Sequence, residues 1–173
     1  MTDQLLGDYK VRPMTHADLE LVLNWRNHPD VRSYMYTRNK ITLGEHLRWF
    51  ERTVKDGSKH LLIFEIDTKP FGFVNFSEFA YGKIADWGFY VAPDASKGIG
   101  KQLGKVALNY AFNQLKLRKI CGQALAYNER SIRLHQFLGF QQEGVLRDHF
   151  FDGENYHQII CFGLLNHEWR ANS

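Results

Sequence analysis

The chain has 173 residues, of which 44% are hydrophobic and 24% are charged, and its formal net charge is +3. This length suits one domain, residues 1–173, and no apolar run approaches the ~20 residues that cross a bilayer. The positive charge is weak and scattered, and the histidines show no metal-ligand spacing. We therefore expect no nucleic-acid partner, no membrane association and no metal.

The first ten residues hold two aspartates and no apolar stretch, so the sequence predicts no secretory signal and a cytoplasmic protein. The two cysteines, Cys121 and Cys161, lie in apolar, strand-like stretches without disulfide or metal spacing. Both are predicted to be small core residues.

Two capped helix starts are predicted near the N-terminus. In each, a threonine is followed three residues later by an acid, Thr15 by Asp18 and Thr42 by Glu45, and apolar residues continue at helical spacing. The second of these helices is predicted to end at Gly57.

Strand patterns follow these helices. Three short, apolar and aromatic-rich stretches, separated by turn residues, predict consecutive antiparallel strands at residues 60–67, 71–76 and 85–91. Pro93 ends the third strand.

The second half of the chain alternates helices and strands. Helical spacing returns after Gly98, Lys119–Leu125 predicts a strand, and residues 131–138 predict a short helix. Two last strands, 145–151 and 156–164, flank an Asp-Gly-Glu hairpin signal. The resulting order predicts an α/β or α+β fold, with one sheet and helices packed on it.

A strand, a loop and a helix start follow one another in residues 86–101, whose sequence is DWGFYVAPDASKGIGK. Two glycines let a ligand approach the backbone, and the helix would point its free N–H groups and its positive dipole end at that ligand. Leu103 stands where a dinucleotide fingerprint needs its third glycine, and the Walker pattern is not met either. The loop is therefore predicted to bind phosphate, although a plain helix start after a glycine turn is the alternative. The residues concerned are Lys97, Gly98, Ile99, Gly100 and Lys101.

Farther along, residues 128–140 have the sequence NERSIRLHQFLGF. Together with the loop they resemble the GNAT superfamily of N-acetyltransferases, whose pyrophosphate loop has the pattern Gln/Arg-x-x-Gly-x-Gly/Ala. Gly98 and Gly100 match that loop, and Ala95 stands where Gln or Arg is usual. The second motif of the superfamily is matched by Asn128, Ser131, Leu134, Leu138, Gly139 and Phe140.

The resemblance implies an acyl-CoA N-acyltransferase fold, with a central mixed, mostly antiparallel sheet that is splayed beside Val91 and flanked by helices. It implies acetyl-CoA as co-substrate, with its pyrophosphate on the loop and its pantetheine arm paired like a strand. The backbone N–H of Val91 would hold the thioester carbonyl. The other residues expected to bind the cofactor are Tyr90, Asn128 and Ser131.

Acetyl transfer to an amine needs a base for the amine and a proton for the departing thiolate. In many members of the superfamily a tyrosine supplies that proton from the position of His135, so His135 is the expected general acid. Tyr127 or Tyr90 could substitute, and a structural hydrogen bond is the alternative role for His135. Asp86, at the head of the cofactor strand, is the expected general base, with a solvated strand-end acid as its alternative.

The acceptor pocket is expected in the N-terminal half, because the first two helices usually shape it in this superfamily. Arg26 offers a planar, bidentate fork to a diphosphate or carboxylate, and Tyr36 and Trp49 could stack on a base or sugar. His46 and Ser77 complete the expected substrate-binding set. Asn75, on the same strand as Ser77, is also expected to orient the substrate or a water, and the polarity of an edge strand is the alternative for this pair. The alternative is that the tryptophans are core residues and that Arg26 is a helix C-terminal charge.

This N-terminal block and the tail from Glu143 to Trp169 resemble bacterial enzymes that acetylate a UDP-linked 4-amino-4,6-dideoxy sugar on the way to pseudaminic acid, a flagellin-modifying sugar. The resemblance predicts acetylation of a nucleotide-linked amino sugar by direct attack of its amine, by a monomer or homodimer. Acetylation of a ribosomal-protein N-terminus is an alternative, because the tail pattern is shared with such enzymes. A catalytically inactive CoA-binding module is another.

Overall fold

A single seven-stranded sheet carries the fold in the computed structural model, which describes residues 7–172. The predicted absence of a secretory signal falls partly on residues 1–6, which lie outside that range. The strands are β1 (Tyr9–Pro13), β2 (Lys59–Ile66), β3 (Lys69–Glu78), β4 (Ile84–Val91), β5 (Lys119–Leu125), β6 (Gln141–Phe151) and β7 (Tyr156–Leu165). The helices are α1 (Leu19–Asn27), α2 (Pro29–Arg32), α3 (Leu43–Thr53), α4 (Ile99–Asn113), α5 (Glu129–Phe137) and α6 (Asn166–Asn172), and a 3₁₀ turn at His16–Asp18 precedes α1.

The strand order in the sheet is β1-β2-β3-β4-β5-β7-β6. Neighbouring strands are antiparallel except β4 and β5, which run parallel. The predicted mixed, mostly antiparallel sheet flanked by helices is confirmed, and so is the antiparallel run of β2, β3 and β4. Three elements were not predicted from the sequence, namely β1, α2 and α6. Within residues 7–172, no helix is long and apolar enough to span a membrane.

Helices pack on both faces of the sheet, because alternate side chains of each strand point to opposite faces. Phe64 and Phe76 belong to a core that also includes the buried side chains of α4. Ile63 and Phe73 lie one and three residues before these two phenylalanines on the same strands, so they point to the other face. They belong to a second core with buried residues of α1 and α3. Trp25 is buried in this second core, in agreement with the alternative interpretation that the N-terminal tryptophans are core residues.

The two cysteines are not core residues, and the prediction on this point is wrong. Both are free thiols of intermediate exposure, Cys121 on β5 and Cys161 opposite Gln123 on β7. Gly122 faces His135 of α5, so Cys121 points to the opposite face of the sheet. That face opens into a groove, which an apolar strand pattern by itself does not reveal.

Helix α3 begins with the predicted capping box. Thr42 Oγ1 accepts the N–H of Glu45 at 3.2 Å, and the Glu45 carboxylate accepts the N–H of Thr42 at 2.8 Å. Thr42→Ala is expected to lower the free energy of unfolding by about 1 kcal/mol, because one helix-end donor loses its partner. Urea denaturation measures this loss, and Thr42→Ser should retain nearly all of the stability. Equal unfolding free energies for Thr42→Ala and the parent would show that the box contributes nothing.

Candidate active site

A groove of about 700 Å³ opens where β4 and β5 separate. The two strands pair only at Ile84–Asp86 with Lys119–Cys121 and then diverge, so the sheet is splayed beside the end of β4. The groove is lined from both halves of the chain, by α1 to α3 with the loop between α2 and α3, by β3 to β5, by the start of α4 and by α5. Its lining includes Arg26, Tyr36, His46, Trp49, Asn75, Asp86, Tyr90, Val91, Gly100, Gln123, Asn128, Ser131 and His135.

The end of β4 presents backbone amides to this opening. The N–H of Ala92 donates to the carbonyl of Phe71 at 2.7 Å, on the side of β3. Successive residues of a strand point their N–H groups to opposite sides, so Val91 and Phe89 direct theirs away from β3 and toward β5. In the described part of the chain the ladder between β4 and β5 ends at Asp86. The two amides are therefore available to a carbonyl oxygen or an extended chain in the groove.

The predicted phosphate loop lies beside the end of β4. Gly98 has a φ of 96°, in the left-handed region that favours glycine, and α4 begins directly after it. The first turn of α4 carries no acidic residue that would repel an anion. Ile99 is buried and anchors the helix start in the core. Gly100 lines the groove, and a Cβ there would lie 3.7 Å from Cγ2 of Val91.

The two lysines of the loop differ in their surroundings. Lys97 is exposed. Lys101 places its Nζ 4.3 Å from the ring centroid of Phe137 on α5, a cation–π contact that joins α4 to α5. Positive charge therefore flanks the helix start on the surface, outside the residues that line the groove.

Asp86 lies on the wall of the groove, at the point where β4 and β5 part. Asp86 is exposed to the groove, and its partial burial in the wall raises the pKa of its carboxyl, while Lys59 opposes the rise. Ser77 is the ladder partner of Asp86 on β3, but it does not line the groove, contrary to its expected role in substrate binding. Asn75 does line it and leans across Gly88, with Oδ1 only 2.7 Å from the place of a Cβ. Of these two expected residues, the structure thus brings Asn75 to the groove and leaves Ser77 outside it.

Two buried polar side chains of the groove have atoms without partners. Arg26 is 7% exposed; its Nη2 donates to the carbonyl of Thr37 at 2.5 Å, while its Nη1 has no hydrogen-bond partner among the described residues. His46 is 4% exposed, and its Nε2 is likewise unpartnered there. Burial lowers the pKa of both side chains. Unsatisfied buried polar atoms are costly, so these two mark a position for the polar atoms of a ligand.

Aromatic side chains also line the groove. Trp49 stacks on His46, with 5.1 Å between ring centroids. The Tyr36 hydroxyl donates to Oε1 of Gln123 at 2.8 Å, and the Tyr36 ring lies 5.6 Å from that of Phe150. Gln123 was not among the expected site residues, and its only sequence signal is its place two residues after Cys121 on one face of β5.

The tyrosines proposed as alternative acids occupy different places. Arg38 donates from Nη2 to the hydroxyl of Tyr127, and that hydroxyl lies 3.4 Å from the carbonyl of Ser33. Tyr127 therefore holds the loop between α2 and α3 and does not line the groove. Tyr90 lines the groove, and burial raises the pKa of its hydroxyl, which stays protonated at neutral pH.

His135 lies at the base of the groove and is 1% exposed. Its Nε2 accepts the indole N–H of Trp87 at 3.1 Å, and its Nδ1 donates to the carbonyl of Ser131 at 2.8 Å. Burial lowers the pKa of His135 to about 4, against the opposing effect of the bond to Ser131. The ring is thus uncharged at neutral pH, and both of its nitrogens are engaged. This geometry argues against the expected role of general acid and favours the structural hydrogen bond.

An opened sheet with free strand amides, next to a helix start suited to pyrophosphate, defines an acyltransferase site for a coenzyme A thioester. Residues 9–141 match the family described as acetyltransferase (GNAT) domain, and the chain belongs to that family. It is an N-acetyltransferase that uses acetyl-CoA and acts on an amine.

Relatives with different names are similar to this chain. Acetyltransferase PseH of Campylobacter jejuni is 32% identical over 124 residues, which are 71% of this chain and 76% of that protein. Spermidine N(1)-acetyltransferase of Escherichia coli is 26% identical over 164 residues, which are 94% of this chain and 88% of that protein. The structure of spermidine N-acetyltransferase from Vibrio cholerae with CoA and spermine has a TM-score of 0.87 and 24% identity, and the match covers 94% of this chain and 98% of that one. The structural likeness establishes the fold and leaves the acceptor open.

Proposed function

We propose that this protein transfers the acetyl group of acetyl-CoA to the 4-amine of a UDP-linked amino sugar, as a step of pseudaminic acid biosynthesis. The observation that carries the proposal is the buried guanidinium of Arg26, whose Nη1 has no partner among the described residues. The resemblance of the N-terminal block to enzymes of that pathway adds support. Similarity to acetyltransferase PseH, at 32% identity, is a further reason to examine this acceptor first.

The chemistry of Arg26 argues for an acceptor that carries oxygen atoms of its own. A guanidinium keeps its charge when buried, and an N–H group removed from water without an acceptor is costly. Arg26 bonds the backbone carbonyl of Thr37 and lines the groove. A diphosphate oxygen would satisfy Nη1 with a charge-assisted bond, whereas a polycation would be repelled.

The aromatic lining suits the remaining parts of a sugar nucleotide. Trp49 and Tyr36 both line the groove and offer flat apolar surfaces on which a base or a sugar ring can stack. His46, stacked on Trp49, offers its unpartnered Nε2 as a polar contact within the same region. Arg26, His46, Tyr36 and Trp49 are therefore the proposed acceptor-binding residues.

The cofactor would lie in the opening between β4 and β5. Its pyrophosphate would occupy the start of α4 at Gly98 and Gly100, and its pantetheine arm would pair with the free edge of β4. Asn128 and Ser131 would border the arm from α5, where Oδ1 of Asn128 caps the helix by accepting the N–H of Ser131 at 3.2 Å.

In the proposed reaction the amine nitrogen attacks the thioester carbon, the C–S bond breaks, and an amide and the CoA thiolate result. The N–H of Val91 would donate to the carbonyl oxygen as negative charge develops on it. Asp86 would take the proton of the attacking amine, for which its raised pKa makes it a better base than an ordinary aspartate. Tyr90, which lines the groove, would protonate the thiolate as the C–S bond breaks, although the burial that raises the pKa of its hydroxyl makes it a weaker acid than an ordinary tyrosine.

A polyamine is the second candidate acceptor. Spermidine N(1)-acetyltransferase matches 94% of this chain, and the carboxylates of Asp30 and Asp86 line the groove, where they would attract a cation. Arg26 and Arg130 line the same groove and oppose that attraction, which makes the sugar nucleotide the better match.

A thiol-release assay separates the candidates. Acetyl-CoA is supplied with a UDP-linked 4-amino-4,6-dideoxy sugar, with spermidine, or with a ribosomal-protein N-terminal peptide, and kcat/KM is compared. We expect the sugar nucleotide to exceed the other two by about 100-fold or more, since a site built to bond an oxygen discriminates strongly against a molecule that lacks it. UDP alone should compete with the acceptor and not with acetyl-CoA. A preference for spermidine or for the peptide would replace the proposal with that activity.

A further inference from the structure

A buried chain of hydrogen bonds runs beneath the opening of the sheet. It leads from the indole N–H of Trp87 on β4 to Nε2 of His135, and from Nδ1 of His135 to the carbonyl of Ser131 in the first turns of α5. Trp87 is 7% exposed and His135 1%, and all three residues line the groove. The chain of bonds thus connects a wall of the groove to its base.

These bonds define the state of the His135 ring. Because Nε2 accepts from Trp87, the proton of the neutral ring is on Nδ1. The surroundings are apolar: the ring stacks on Phe162 at 4.7 Å and meets Phe140 edge-on at 4.9 Å, while the hydroxyl of Ser131 lies 3.4 Å from Nδ1. A charged imidazolium would have no compensating carboxylate among these contacts.

Gly122 makes the bond between Trp87 and His135 possible. A Cβ at position 122 would lie 2.5 Å from His135 Nε2 and 2.8 Å from Trp87 Nε1. Only glycine therefore lets the indole reach over β5 to α5. This close approach occurs directly after Cys121, the last residue of β5 that pairs with β4.

The hydrogen bond between Trp87 and His135 lies at the point where β4 begins to diverge from β5. β4 pairs with β5 up to Asp86, and Trp87 is the next residue, the first of the diverging part. Phe89 and Val91, whose amides point into the opening, follow two and four residues later on the same strand. The hydrogen bond from Trp87 to His135 of α5 therefore restrains the part of β4 that would bind the thioester.

We propose that Trp87, His135 and the Ser131 carbonyl form a latch that sets the separation between the end of β4 and α5, with His135 as a positioning residue rather than a proton donor. The latch keeps the Val91 N–H within hydrogen-bonding distance of the thioester carbonyl oxygen. It also keeps the first turns of α5 beside the pantetheine arm. The inference rests on the proposed position of acetyl-CoA and is independent of the acceptor.

Four variants test the latch through the dissociation constant of acetyl-CoA, measured by calorimetry without acceptor. Trp87→Phe removes the donor, and His135→Leu removes the acceptor. Each should weaken binding by about tenfold, because the end of β4 and α5 are then no longer held in place beforehand and acetyl-CoA must order them on binding. The double variant should be no weaker than the worse single variant, because both remove the same bond. His135→Gln restores an acceptor near Nε2 and should bind within about threefold of the parent.

Kinetics and spectroscopy distinguish positioning from acid catalysis. His135→Gln should keep kcat within about threefold and the same limbs in its pH–rate profile, whereas a general acid would cost about 100-fold and remove a limb. Nitrogen NMR of the parent protein should show an uncharged ring with the proton on Nδ1 from about pH 6 to 8. A titrating ring, additive single-variant losses, or a lost limb would overturn the latch. An acceptor other than a sugar nucleotide would overturn the proposed function and leave these binding results unchanged.

Discussion

Asp86→Asn is expected to lower kcat by roughly 10²–10⁴-fold, because an amide cannot take the proton of the attacking amine. Asparagine has nearly the size of aspartate, so the point where β4 and β5 part should keep its shape. Thiol release at saturating acetyl-CoA and acceptor measures the effect, and the acceptor KM should change little. A loss of less than about threefold would remove Asp86 from proton transfer.

The pH dependence of the parent and the variant gives a second measurement on the same residue. Burial raises the pKa of Asp86, so the basic carboxylate accumulates only above that raised value and kcat/KM should rise with pH through it. In Asp86→Asn this ascending limb should be absent. A limb that persists at higher pH belongs to deprotonation of the acceptor amine.

The same pKa shift predicts an opposite effect on stability. The pKa of Asp86 is higher in the folded than in the unfolded state, so its ionised form costs some stability at neutral pH, and the cost fades as pH falls through the folded value. Because Asp86 is exposed to the solvent of the groove, this cost is small. Removing the charge should leave the free energy of unfolding unchanged or higher while activity falls. Asp94→Asn, in the exposed loop after β4, is the matched control and should change neither quantity.

The features predicted correctly from the sequence depend on residues close together in the chain. The capping box of Thr42 and Glu45 closes within three residues, and the helix start after Gly98 needs only the positive φ of that glycine. Strands β2 to β4 pair through short connections, so each is bounded by its own turn signals. Local chemistry is sufficient for such elements.

Strand β1 escaped prediction because its pairing is not local. Its five residues include two basic side chains and a proline, which leaves the alternating pattern too short to indicate a strand. It is held by β2, with Tyr9 opposite Ile66 and Pro13 opposite Leu62, and by the Arg12 side chain, which bonds Glu65 at 2.6 Å. Nothing within the strand itself predicts these partners.

In the site, too, the features formed by contiguous residues were predicted, and those formed by residues far apart in the sequence were not. The glycine loop and the motif from Asn128 to Phe140 locate the cofactor region from contiguous residues alone. The role of His135 depends on Trp87, which is 48 residues away in sequence, and on the absence of a side chain at Gly122. A histidine in place of a tyrosine suggests an alternative acid, and only the packing shows that both ring nitrogens are already engaged.

Arg26→Met is expected to raise the KM for the sugar nucleotide by roughly 10- to 100-fold and to leave the KM for acetyl-CoA unchanged. A hydrogen bond from a charged group contributes about 1.5–3 kcal/mol, which corresponds to that range. Methionine fills much of the volume of the arginine stem, so the loss reports on the guanidinium rather than on a cavity. Arg26→Lys keeps the charge without the planar fork and should lie between the parent and Arg26→Met.

Arg26→Met is expected to change the KM in opposite directions for a sugar nucleotide and for spermidine. Arg26 is 7% exposed and its Nη1 lacks a partner among residues 7–172, so the wild-type groove presents a positively charged donor without an acceptor to any ligand. If the acceptor is an anionic sugar nucleotide, Arg26→Met loses affinity for it, and Arg52→Ala, an exposed arginine of α3, does not. If the acceptor is a polyamine, removal of the charge should instead improve its KM, because a like charge has been taken from the groove. The direction of the KM change in one variant therefore decides between the two acceptors.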